Sequence, residues 1–172
     1  GWVVGETRKP GSIGVGAWSQ GGESLRCNRS NTQQCISEIG TWGAYLLMDQ
    51  RLSNFRPDHD SSGINTFLSA GWSPSNTNLI NASITGGLTF FGPFKARPND
   101  SLGIGLSWAQ INTREFLSNT FNPNELMLQG YAQIALTKSL FLQPTLTLLP
   151  QVGLREAENN SFSGLMQITM LF

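Results

Sequence analysis

Few side chains in this 172-residue chain have the types and spacing to do chemistry, and they are dispersed. The single histidine stands in Asp58-His59-Asp60. Three adjacent residues cannot converge on one ion without a sharp turn, so the segment reads as a hydrated loop and no metal site is expected. A hydrolase would need a Ser–His pair oriented by a third group. His59 stands alone in an expected turn, so neither catalysis nor a cofactor is implied. Cys27 and Cys35 flank a polar stretch, SLRCNRSNTQQCIS. A pair this close in a loop reads as a disulfide and implies an oxidising compartment; metal binding is the rival, with no further Cys or His nearby. Asn28-Arg29-Ser30 and Asn81-Ala82-Ser83 match the glycosylation acceptor pattern by chance. Two carboxylates stand out, Asp49 and Glu125, because the stretches around them are almost free of charge.

Composition narrows the class. Lysine plus arginine equals aspartate plus glutamate at 11 each, which leaves no basic field for nucleic acid and no acidic tail. Charged residues make up 13% of the chain, against about 25% in a soluble domain. Gly, Ser, Thr, Asn and Gln fill the gap, and mean hydropathy is slightly negative. No apolar run approaches the roughly 18 residues of a membrane helix; the longest, Trp42 to Met48, stops at Asp49. No signal peptide is visible at Gly1, so the chain reads as mature, trimmed or incomplete.

The elements that must position these residues show a period of two. Leu126, Leu128, Ala132, Ile134 and Leu136 alternate with Glu125, Gln129, Tyr131 and Gln133. Leu140, Leu142, Leu146 and Leu148 oppose Gln143, Thr145 and Thr147, and Phe162, Met166, Ile168, Met170 and Phe172 oppose Ser163, Gln167 and Thr169. Ile80, Ile84, Leu88 and Phe90 alternate with Asn81, Ser83, Thr85 and Thr89. A helix would mix these classes on one face; a strand separates them. The polar face carries neutral amides and hydroxyls rather than Lys and Glu, which suits a wet enclosed lumen. The apolar face places Trp42, Trp72, Phe90, Trp108 and Phe172 near strand ends, where barrel girdles meet lipid headgroups. The expected fold is all-β, an antiparallel transmembrane β-barrel in a bacterial outer membrane. A soluble sandwich or barrel with a polar interior is the competing reading.

Strands are expected near 1–7, 11–20, 40–51, 63–73, 79–91, 100–111, 124–136, 139–149 and 161–172, bracketing the roughly 9–11 residues that cross a bilayer at a tilt. Tight turns at 8–11 and 137–139 then lie on the periplasmic side, and 21–39, 112–123 and 150–160 form outer loops. Segments 52–62 and 92–99 are long for inner turns. About eight or nine strands are present by this count, and nine is an awkward total for bacterial barrels, which use even numbers. The chain therefore reads as the C-terminal portion of one barrel domain, with a complete eight-stranded barrel from residue 11 as the competing account.

At Gly40 a family resemblance begins. Gly43, Tyr45, Asp49 and Gln50, then Gly92, Pro93, Arg97, Asp100, Leu102, Gly103 and Gly105, and finally Glu125, Leu140 to Leu142, Pro144 and Leu146 resemble the C-terminal half of carbohydrate-selective porins of the OprB type. The similarity covers roughly 40–172. It implies a barrel of about sixteen strands and passive diffusion of saccharides or other small hydrophilic solutes, with outer-membrane lipid as the surrounding partner. The alternative is a small structural or assembly barrel, or a barrel partner of an envelope complex, without an open sugar channel. The expected channel lining is Asp49, Asn81, Ser83, Thr85, Glu125, Gln129, Gln133, Gln143, Thr145, Thr147 and Gln167. Asp49 and Glu125 would give weak cation preference or accept sugar hydroxyls, unless they pair with Arg or Lys from a further segment. Phe172 at the chain end resembles the C-terminal pattern by which barrel-assembly machinery recognises outer-membrane proteins.

Overall fold

The computed structural model describes residues 2–4, 9–27, 35–57, 61–74, 77–111, 123–152 and 160–171. The Asp58–Asp60 cluster, the Asn28–Ser30 sequon and Phe172 lie outside them, as do the side chains of residues 24–38. Among the described residues nine strands run in chain order: β1 (Trp2–Val4), β2 (Lys9–Cys27), β3 (Cys35–Asn54), β4 (Gly63–Trp72), β5 (Ile80–Phe91), β6 (Ser101–Ile111), β7 (Asn124–Ala135), β8 (Leu140–Gln151) and β9 (Ser161–Met170). Each pairs antiparallel with the next in one sheet of order β1 to β9. No pairing joins β1 to β9 among the described residues, so the sheet is open.

Strands β4 to β9 fall within two residues of the ranges expected from alternation. Strands β2 and β3 do not. Residues 21–27 and 35–39, expected as outer loop, continue the β2–β3 ladder as far as the pair Cys27↔Cys35. The cause is a bulge between Gln20 and Glu23. An extra residue on one strand breaks the period of two while pairing resumes beyond it. Across from it, Gly40 takes φ +80°, a left-handed backbone that a side chain would resist.

This sheet has no core of its own. Among described residues, the one buried hydrophobic side chain is Ile111. The chain exposes 11734 Å², whereas a folded soluble monomer of this size exposes roughly 8,300 Å². The apolar face is bare: Val15 is 80% exposed and Ile168 68%. Directly opposed residues share a face, and the apolar positions pair with one another across the sheet, as in Leu106↔Leu128, Leu142↔Ile168 and Ile84↔Trp108. Such a surface is stable where hydrocarbon covers it and every backbone group is paired in a closed wall.

The described parts of segments 52–62 and 92–99 are held by arginines. Arg51 donates from Nε to Asn54 Oδ1 at 2.8 Å and from Nη1 to Asn65 Oδ1 at 2.9 Å, and also bonds the Ser61 carbonyl. Arg56 Nη2 reaches the Gly92 carbonyl of the next turn at 2.9 Å. Arg97 pairs with Asp100 at 2.6 Å and donates to the Ala135 carbonyl at 3.0 Å, while Asp100 Oδ1 accepts from the Ala135 amide at 2.9 Å. Each is thus tied to a neighbouring segment through its described residues.

Candidate functional site

The polar face of the sheet is the candidate site, and the register assembles it strand by strand. Asp49 lies opposite Ser12 on one side and Phe67 on the other. Ser83 lies opposite Gly71 and Ala109, and Thr85 opposite Ser69 and Ser107. Glu125 opposes Ala109, Gln129 opposes Gly105 and Thr147, and Gln133 opposes Ser101. Gln143 faces Gln167, and Thr145 sits between Tyr131 and Leu165. Asn81 falls at a second irregularity, where Ile80 pairs with Ile111 and Ala82 with Gln110, and lines one cavity with Ser83. The residues expected to line a channel therefore share one continuous surface.

Hydrogen bonds run across this surface between neutral groups. Thr85 Oγ1 and Ser107 Oγ are 2.8 Å apart, Gln129 Nε2 donates to Thr147 Oγ1 at 3.1 Å, and Gln167 Nε2 donates to Thr169 Oγ1 at 3.3 Å. Asp49 and Glu125 stand toward opposite ends of the wall, Asp49 nearer the arginine-tied turns. Neither forms an ion pair among the described residues. The surface is not uniformly polar, because Leu47, Phe141 and Leu165 share it.

Alternation placed Tyr131 on the polar face but missed the other aromatic members of it. Trp18, Tyr45, Phe67 and Tyr131 also lie on the polar face, each leaning across a glycine on the adjoining strand. A Cβ at Gly43 would stand 2.6 Å from the Trp18 indole, and one at Gly87 2.7 Å from Phe67 Cε1. Tyr45 crosses Gly16, and Tyr131 crosses Gly103, in the same manner. Only glycine leaves room for these rings at such close approach. The signal was present as Gly-x-aromatic spacing, Gly16/Trp18 and Gly43/Tyr45, with each glycine opposite the other strand's ring. On the reverse face, Trp42 and Trp72 meet edge to face with centroids 5.1 Å apart and planes at 66°.

No group of three or more His, Cys, Asp or Glu residues that could hold a metal occurs among the described residues. Among the described residues no helix is long and apolar enough to cross a membrane, which has no bearing on a strand-built wall. A family model described as carbohydrate-selective porin, OprB family, matches residues 9–172. The high-pH structure of Pseudomonas putida OprB superimposes with a TM-score of 0.80 at 17% sequence identity, covering 99% of this chain and 47% of that one. The chain thus spans about half the length of that porin. No curated protein matches it.

Proposed function

The chain belongs to the carbohydrate-selective porin family OprB, and from that premise we propose that it forms part of the wall of a channel for passive diffusion of saccharides and other small hydrophilic solutes. Family and fold place it in a bacterial outer membrane. The sheet would be completed by further strands pairing at β1 and β9, a reading supported by its open edges and by the 47% coverage of the porin chain. The observation that carries the functional reading is the polar face itself, where neutral amides and hydroxyls alternate with aromatic rings. A sugar leaving water needs replacement hydrogen bonds for its hydroxyls and an apolar surface for its C–H faces. Fixed charges would favour ions instead. Lipid covers the opposite face.

The test uses the full-length porin purified and reconstituted into liposomes and planar bilayers. Liposomes should swell in glucose and sucrose at rates that fall with solute size, and single channels should conduct. A protein that inserts as a folded barrel yet neither swells liposomes nor conducts would overturn the channel reading in favour of a closed structural barrel.

A further inference from the structure

We propose that the polar face carries a subsite for one pyranose ring, in the cavity bounded by Trp18, Tyr45, Gly71, Asn81 and Ser83. The proposal rests on the channel reading above and adds a location and a ligand shape to it. The cavity measures about 170 Å³.

Its two sides match the two aspects of a sugar. On one side stand the Trp18 and Tyr45 rings, 40% and 43% exposed, held against the wall by Gly43 and Gly16. A pyranose offers an apolar C–H face to such rings. On the other side stand Asn81 and Ser83. The Asn81 Oδ1 is buried and has no hydrogen-bond partner among the described residues. Buried polar side-chain atoms are usually bonded, and one that is not calls for an explanation. An amide presents an acceptor and two donors, which complements neighbouring hydroxyls on a sugar ring. The terminal torsion of Asn is broad, so either end of the amide can turn toward the cavity.

The backbone is arranged to present this residue. β5 shifts register between Ile80 and Ala82, with Asn81 as the extra residue. Ser73 pins the irregularity by donating its amide to the Asn81 carbonyl at 2.8 Å and its hydroxyl to the Ile80 carbonyl at 2.6 Å. Bulges re-aim a side chain at the cost of a ladder bond, and here the side chain re-aimed is the one whose Oδ1 has no partner among the described residues. The cavity lies toward the end of the wall away from the arginine-tied turns.

The experiment titrates D-glucose against the full-length porin in planar bilayers and reads the half-saturating concentration from the reduction and noise of the ionic current. Trp18→Leu and Asn81→Leu should each raise that concentration about 2- to 10-fold. Trp18→Phe should stay near wild type because a ring face remains. D-glucitol, with no ring, should bind more weakly than glucose. If Asn81→Leu does not insert, Asn81→Thr carries the same comparison. Sugar that passes without saturating, variants that titrate like wild type, or glucitol binding as well as glucose would each remove the subsite and leave the channel standing. If liposome swelling shows that no sugar enters the wild-type protein, both readings fall together.

Discussion

At the scale of single residues, Asp100 shows how a surface ion pair and a buried acceptor differ in weight. Its side chain is 11% exposed and that of its partner Arg97 is 50% exposed. Water screens the pair from the arginine side, so the charge interaction itself is worth about 0–1 kcal/mol. The Ala135 amide, which donates to Asp100 Oδ1 at 2.9 Å, has the larger stake. Removing its acceptor leaves a donor unsatisfied, at about 1–3 kcal/mol. Asp100→Ala should therefore destabilise the folded barrel by about that amount in urea unfolding, and Arg97→Ala by less. Asp100→Asn, which keeps one acceptor oxygen, should fall between them. Equal losses for Arg97→Ala and Asp100→Ala would mean that the ion pair, not the amide acceptor, holds the turn. Nothing local in the sequence exposes this contact, since Asp100 and Ala135 are 35 positions apart; Arg97 and Asp100 stood out there only as part of a family pattern.

At the scale of elements, the β2–β3 hairpin joins what was legible to what was not. Its central pairs, Val15↔Leu46 and Ile13↔Met48, follow from alternation. Its outer third does not, because the bulge at Gln20/Glu23 shifts the phase and the residues beyond it are polar on both faces. Pattern reading needs one face to differ from the other, and past the bulge that contrast disappears. The aromatics were missed for a related reason. Trp18 and Phe67 are bulky and apolar, so hydropathy assigns them to lipid, while their parity and their glycine partners put them inside. The same hairpin sets Cys27 directly opposite Cys35 along the backbone, and we expect a bond between them. Closing so short a loop should add on the order of 2–3 kcal/mol by the loop-entropy model. Thiol titration of the unreduced, unfolded protein should find no free cysteine; two free thiols would dismiss the bridge. In β7 to β9 the two faces are well separated, and parity makes a sharper statement. Cysteines placed at Gln129 and Gln167, both exposed on the polar face, should react with a water-soluble thiol reagent in the folded barrel, whereas those at Leu128, Leu146 and Ile168 should be protected by lipid; Thr145 is 8% exposed and is a poor labelling position despite its parity. Reversed labelling would put the register off by one residue, since a single step exchanges the faces.

At the scale of the whole molecule, a sheet one layer thick with 11734 Å² exposed can be a native structure only if its surroundings supply what a core would. Lipid on one face and a wet lumen on the other do so, and edge-to-edge pairing supplies the remaining backbone partners. Folding is then inseparable from insertion, and the chain must carry a means of reaching its membrane. The last strand is the element best placed to provide it. In β9, Phe162, Met166, Ile168 and Met170 share the face that pairs with Leu148, Pro144, Leu142 and Leu140, and Phe172 continues the same parity to the chain end. We expect this strand to act as both wall and recognition signal for the barrel-assembly machinery. Any strand can end in phenylalanine, but several aligned apolar residues closing on an aromatic terminus make a pattern that a receptor can read. Deleting Phe172 from the full-length protein should lower the folded, heat-modifiable fraction recovered in the outer membrane while leaving the conductance of each surviving channel nearly unchanged. A deletion that altered conductance instead would assign Phe172 to the pore wall, and undiminished insertion would count against β9 as the signal.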